Sequence, residues 1–147
     1  MRGRTMDIGC RSSLVAMTTA VLFGCGPSPI TSIRIEDAIA PTFGNLIQVQ
    51  LSWLGQSSVA ASDITVTASC RKLGVGNAGA GEWACTVAWQ TPNRGTLRES
   101  YDLSVATDGC YTAIVAGENL GGPTLKGPDD SDVRNLLYTF EGCFDTT

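Results

Sequence analysis

The chain is 147 residues long, 43% hydrophobic and 16% charged, with a net charge of −4. That length suits one domain with a real core, and a chain this apolar is not a charged disordered segment. Net negative charge offers no electrostatic footprint for nucleic acid, and the absence of histidine removes Ser-His and Cys-His nucleophile pairs together with the commonest metal ligand.

Taken in chain order, the first segment is for targeting. Arg2, Arg4 and Arg11 precede an apolar run from Leu14 to Phe23 that ends at Gly24-Cys25, the layout of a secretory signal. As a helix the run rises only about 15 Å, half the hydrocarbon thickness, which is too short for a span. Leu22-Phe23-Gly24-Cys25 resembles the lipobox of bacterial lipoproteins. That resemblance implies a signal peptide over residues 1–24, a diacylglyceryl group on the thiol of Cys25, and a tether over residues 25–32 containing Gly26-Pro27-Ser28-Pro29. A net acidic chain is repelled by anionic headgroups, so membrane attachment must come from the lipid. The alternatives are a secreted domain without lipid and an uncleaved anchor.

The remaining residues, 33–147, read as a single domain. From Ile35 to Leu54 the residues Ile35, Ile39, Phe43, Leu46, Ile47, Leu51 and Leu54 recur at helical spacing. Ser32 is a possible cap and Gly55 a natural stop. Pro41 predicts either a kink or a new start, and the favoured reading is a helix from Pro41 to Leu54 with a shorter turn before it.

The period then changes to two. Ile64–Cys70, Trp83–Gln90, Tyr101–Val105 and Cys110–Val115 alternate apolar and polar residues, which predicts four strands. Pro92-Asn93-Arg94-Gly95 joins the second to the third, and Asp108-Gly109 is a two-residue hairpin signal joining the third to the fourth. Gly117 to Asp132 reads as irregular, and Val133 to Phe140 as a fifth strand with Leu136, Tyr138 and Phe140 on one face. The expected fold is therefore α+β, an N-terminal helix packed on a four- to five-stranded antiparallel meander sheet.

Outside the targeting region four cysteines remain: Cys70, Cys85, Cys110 and Cys143. Four cysteines allow three pairings. No CxxC spacing occurs and no histidine is present, so two disulfides are expected rather than a zinc site or a redox pair. Cys70 and Cys85 fall at facing ends of the first two strands, which makes them the first bridge and leaves Cys110–Cys143 by subtraction.

Three motifs bear on function. Gly74-Val75-Gly76-Asn77-Ala78-Gly79 matches GxGxxG, but a dinucleotide site needs a helix next, and a strand follows here. Asp129, Asp130 and Asp132 lack the register of a calcium loop and read as a solvated turn. Trp53, Trp83 and Trp89, with Tyr101, Tyr111 and Tyr138, are core fillers by default, and any one exposed beside the glycine-rich loop would be the best contact candidate.

Several stretches carry a family resemblance: Ala40 to Leu46, Ser69-Cys70 to Val87, Tyr101 to Ala113 through Asp108-Gly109-Cys110-Tyr111-Thr112-Ala113, and Phe140-Glu141-Gly142-Cys143-Phe144-Asp145. From about Ile33 to Thr147 the chain resembles small actinobacterial secreted lipoproteins of unknown function, and its Cys70–Cys85 interval resembles the hairpin of a related cell-envelope domain. The resemblance implies a lipidated, disulfide-bonded domain outside the cell and brings no catalytic or binding residue with it. The expectation is a non-enzymatic cell-envelope module on the outer membrane face, with no cofactor, binding a protein or small ligand. The alternative is an inhibitor that inserts the Arg71–Gly81 loop, with Lys72 and Leu73, into an extracellular hydrolase.

Overall fold

The computed structural model describes residues 29–56, 59–92 and 94–146. The segment expected to be a signal peptide, Cys25 and most of the expected tether lie outside the described residues.

Helix α1 (Ser32–Trp53) is one continuous helix, so the expected break at Pro41 is corrected. Proline costs a helix one amide donor and crowds the carbonyl four residues back. Here Pro41 and Asp37 both sit on the exposed face, open to solvent. Thr42 donates its hydroxyl to the Ala38 carbonyl at 2.9 Å, and Ile35 and Ile39 before the proline are buried along with Phe43 and Ile47 after it. Both halves thus grip one surface. Thr31, rather than Ser32, is the cap, its hydroxyl accepting the Arg34 N–H at 3.5 Å. Gly55 stops the helix as expected. Its φ is 75°, its N–H donates to Ser52 O, and the Gln56 N–H donates to Leu51 O, the paired bonds of a Schellman end.

A short 3₁₀ turn (Ala61–Asp63) leads into β1 (Thr65–Lys72), β2 (Gly81–Thr91), β3 (Arg94–Val105) and β4 (Cys110–Val115), followed by β5 (Thr124–Lys126), β6 (Asp132–Arg134) and β7 (Thr139–Cys143). The main sheet has five antiparallel strands in the order β1-β2-β3-β4-β7, and β5 pairs with β6 in a small hairpin of its own. The α+β class, with one helix on a five-stranded antiparallel sheet, is as expected.

Three details differ from the sequence reading. Strand β3 begins at Arg94 rather than Tyr101, because among residues 95–100 only Glu99 is buried and no apolar alternation advertises the strand. The β3–β4 connection is a four-residue loop, in which the Gly109 N–H donates to Ala106 O and Gly109 takes φ 85°; a turn followed by a glycine bulge replaces the two-residue form. Finally, Val133 to Phe140 is two strands, not one. Asn135, only 2% exposed, turns the chain between them, and the β5–β6 hairpin occupies part of a stretch read as irregular. The buried residues there are Leu137 and Phe140, while Leu136 and Tyr138 are half-buried.

Between α1 and the sheet lies an aromatic cluster. The Phe43 ring sits 5.1 Å from Trp89, 5.8 Å from Tyr101 and 5.8 Å from Phe140, and Tyr101 and Phe140 are 5.3 Å apart, spacings at which tilted rings attract. The opposite face of the sheet carries exposed Thr65, Thr67, Thr86, Ser100 and Ser104.

Both disulfides join residues directly across from each other. Cys70 pairs with Cys85 and Cys110 with Cys143, with Cα separations of 4.1 and 3.9 Å. The first ties edge strand β1 to β2 on the helix-covered face, and the second ties edge strand β7 to β4 with Cys143 exposed. Each edge of the sheet is stapled to its neighbour. Edge strand β1 is also protected by α1, whose Glu36 carboxylate accepts the Cys70 N–H at 2.7 Å.

Candidate functional site

The C-terminal half of α1 overhangs the end of the sheet where β2 turns into β3. Together with the segment from Asn119 to Leu137 it encloses an open cleft of about 660 Å³, a size typical of small-molecule sites. Ile47, Leu51, Leu54, Trp89, Leu125 and Leu137 give it apolar walls, and Arg98 is the charged residue among its described lining residues, its register position opposite Ala88 putting it on the sheet face away from Trp89.

Two buried amides line the cleft and behave differently. Asn135 is fully engaged: its Nδ2 donates to Leu120 O at 3.0 Å and Gly122 O at 2.9 Å, and its Oδ1 accepts the Leu137 N–H at 3.2 Å. It is a fastener that shapes the wall. Gln50, 3% exposed, is half engaged. Its Oε1 accepts the Leu136 N–H at 2.6 Å, while its buried Nε2 has no partner. An amide flip cannot remove this, because a backbone N–H requires the oxygen as its acceptor. A buried donor without a partner costs about 1–3 kcal/mol.

Behind this wall lies Glu99, 2% exposed. Its carboxylate accepts the Ser100 N–H at 2.9 Å and the Asn119 N–H at 2.8 Å, and the backbone of Gly117 passes so close that any Cβ there would collide with it. Among the described residues no cation pairs with it. Neighbouring Tyr101 donates its hydroxyl to Leu137 O at 2.8 Å. Burial first, then the Glu99 charge, pushes the Tyr101 hydroxyl far above its ordinary range. Burial likewise raises Tyr111.

The residues singled out in the sequence are scattered relative to this cleft. Of the tryptophans, Trp89 lines it, Trp83 is wholly buried, and Trp53 is 46% exposed on α1. Beside the glycine-rich loop the exposed apolar side chain is Val75 at 98%, not an aromatic. Arg71 and Lys72 belong to β1 rather than to that loop, and Lys72 donates to Ala80 O at 2.6 Å and sits over the Trp83 ring. Asp129 and Asp130 form the β5–β6 turn, and Asp132 opens β6 opposite Lys126. Asp129 accepts from the Ser131 hydroxyl and N–H, which hold its carboxyl below the usual range, and Lys126 meets Asp132 at 2.9 Å. Among the described residues no three His, Cys, Asp or Glu converge as metal ligands would.

Sequence reasoning missed Gln50, Asn135 and Glu99. A signal for Gln50 exists, since it occupies the position in the Phe43–Ile47–Leu54 stripe where another apolar residue belongs. Compared with known proteins, the chain matches no protein-family model, no curated protein and no solved structure.

Proposed function

We propose that this protein is a non-enzymatic binding module of the cell envelope, anchored by lipid at Cys25 on the extracytoplasmic face, and that the α1–β2–β3 cleft is where it binds. The observation that carries the reading is the open cleft of about 660 Å³, walled by Ile47, Leu51, Leu54, Trp89, Leu125 and Leu137 and bordered by the buried amides Gln50 and Asn135. Small-molecule sites place a few polar groups in largely apolar walls of this size.

Two further observations support the reading. Cross-strand disulfides at both sheet edges persist in oxidising compartments and are rare in reducing ones. The described chain enters at the α1 N-terminus, where Gly79 N–H meets Ile30 O, whereas the cleft lies at the other end of α1. Along the helix the two are separated by about 25–30 Å, so an anchored domain would hold its cleft mouth away from the bilayer.

Two-dimensional NMR of the full chain, titrated with the neutral apolar probe N-phenyl-1-naphthylamine, tests this. Saturable shifts confined to Gln50, Trp89, Leu97, Leu125 and Leu137 are expected. Absence of binding, or shifts centred on the exposed Thr-rich sheet face, would overturn the assignment of the cleft.

A further inference from the structure

Resting on the lipid anchor at Cys25, we infer that the glycine-rich loop (residues 73–80) and Ile33 make a second, apolar contact with the bilayer itself, which fixes how the domain stands on the membrane. The register brings the β1–β2 loop, the β3–β4 loop and the chain after β7 to one end of the sheet, since Gly81 lies opposite Val105, Val105 opposite Tyr111 and Tyr111 opposite Gly142. The N-terminus of α1 is fastened to that same end. There the Gly79 N–H donates to Ile30 O, and the Arg34 guanidinium donates to Asp145 O. Ile30 is itself buried in the core, so the chain running back to Cys25 leaves from beside the loop. Fully extended, the stretch from Ile30 to Cys25 spans at most about 18 Å. A lipidated Cys25 therefore keeps the loop within one short tether length of the headgroups.

The chemistry of the loop suits a lipid surface. Leu73 to Ala80 contains no charged residue. Gly74 and Gly76 take φ 81° and 82°, turns that present Val75 almost wholly to solvent, and Ile33 on the first turn of α1 is exposed as well. Water is a poor solvent for both side chains, and the boundary between headgroups and acyl chains is a better one. So small a patch would hold a free protein to a vesicle only feebly. The anchor makes the contact intramolecular, and at that effective concentration a weak attraction suffices. Charge takes little part, because Arg34, Arg71 and Lys72 at this end are offset by Glu82, Asp108 and Asp145, leaving anionic headgroups no net pull.

Methyl NMR of the protein from its native membrane fraction, placed in dioleoylphosphatidylcholine nanodiscs with and without 5-doxyl phosphatidylcholine, tests this. The paramagnetic lipid should broaden the Val75 and Ile33 methyls at least several-fold more than those of Leu97 and Ile114, which are exposed elsewhere on the fold. Val75→Asp should reduce the broadening at Ile33 several-fold while leaving the Leu97 and Ile114 shifts in place, which reports an intact fold. Equal broadening at all four residues, or undiminished broadening of Ile33 in Val75→Asp, would overturn the inference. Broadening that appears only when phosphatidylglycerol is added would make the contact one of charge and overturn it too. The intact mass of the same sample separates this from the anchor. A lipidated protein without the selective broadening loses the inference and keeps the anchor, whereas a protein with no lipid at Cys25 loses both.

Discussion

Deleting each disulfide in turn separates chain entropy from packing. Replacing both partners by alanine leaves no stray thiol. The Cys110–Cys143 bridge closes an interval of 33 residues and the Cys70–Cys85 bridge one of 15. On the loop-entropy model these contribute about 3.7 and about 3 kcal/mol, so entropy alone makes the longer loop the costlier loss. Packing reverses the order. Cys85 is 2% exposed and Cys70 9%, on the face covered by α1, whereas Cys143 is exposed. Removing two sulfur atoms from a core leaves a void costing on the order of 1–2 kcal/mol, and removing them from the surface leaves none. Cys70→Ala/Cys85→Ala should therefore lose about 4–5 kcal/mol and Cys110→Ala/Cys143→Ala about 3.7. Urea unfolding followed by far-ultraviolet circular dichroism resolves this. With a slope of about 2 kcal/mol/M, the core-face variant should unfold at a midpoint lower by roughly 0.5 M. A midpoint for Cys70→Ala/Cys85→Ala at or above that of the other variant would refute the packing argument and leave loop length as the controlling term.

The same asymmetry predicts reactivity: limited reductant followed by iodoacetamide and peptide mass spectrometry should label Cys110 and Cys143 before Cys70 and Cys85, since thiolate attack needs access. Gly142→Ala should destabilise by about 1–3 kcal/mol in urea unfolding, because a Cβ there runs into the Tyr111 hydroxyl held on the core side of the sheet. Tyr101 has a raised pKa in the fold, so its stabilising contribution is complete below about pH 10, the unfolded value, and is lost as pH climbs towards the folded one. Urea midpoints between pH 8 and 11 should therefore fall more steeply for wild type than for Tyr101→Phe, and identical slopes would contradict the burial of that hydroxyl.

What the sequence disclosed and what it hid have physical reasons. Strand residues with one wet and one covered face write their register into the chain, so Trp83, Cys85, Val87 and Trp89 could be read as one buried row. Once that row was placed opposite Cys70 the pairing of the disulfides followed. The first half of β3 wrote nothing, because among residues 95–100 the buried side chain is the carboxylate of Glu99, held by backbone N–H groups contributed by neighbouring Ser100 and by Asn119 twenty residues on. The turn at Asn135 was hidden for a similar reason. Its stopping power comes from bonds to Leu120 and Gly122, and a local pattern carries no trace of them. Pro41 misled in the other direction, since a proline on a wet helix face is tolerated when buried residues on either side bind one surface. The cleft was invisible as a whole because it is assembled from three separated stretches. Its one trace was a glutamine standing in an apolar stripe.

The proposed exported, lipid-anchored and doubly stapled binding domain is tested by the intact, non-reduced mass of the protein from its native membrane fraction. The expected species runs from Cys25 to Thr147, heavier by a diacylglyceryl group and lighter by the four hydrogens lost in forming two disulfides. A species that retains residues 1–24, carries no lipid and has free thiols at Cys70, Cys85, Cys110 and Cys143 would contradict the anchor, the compartment and the staples together.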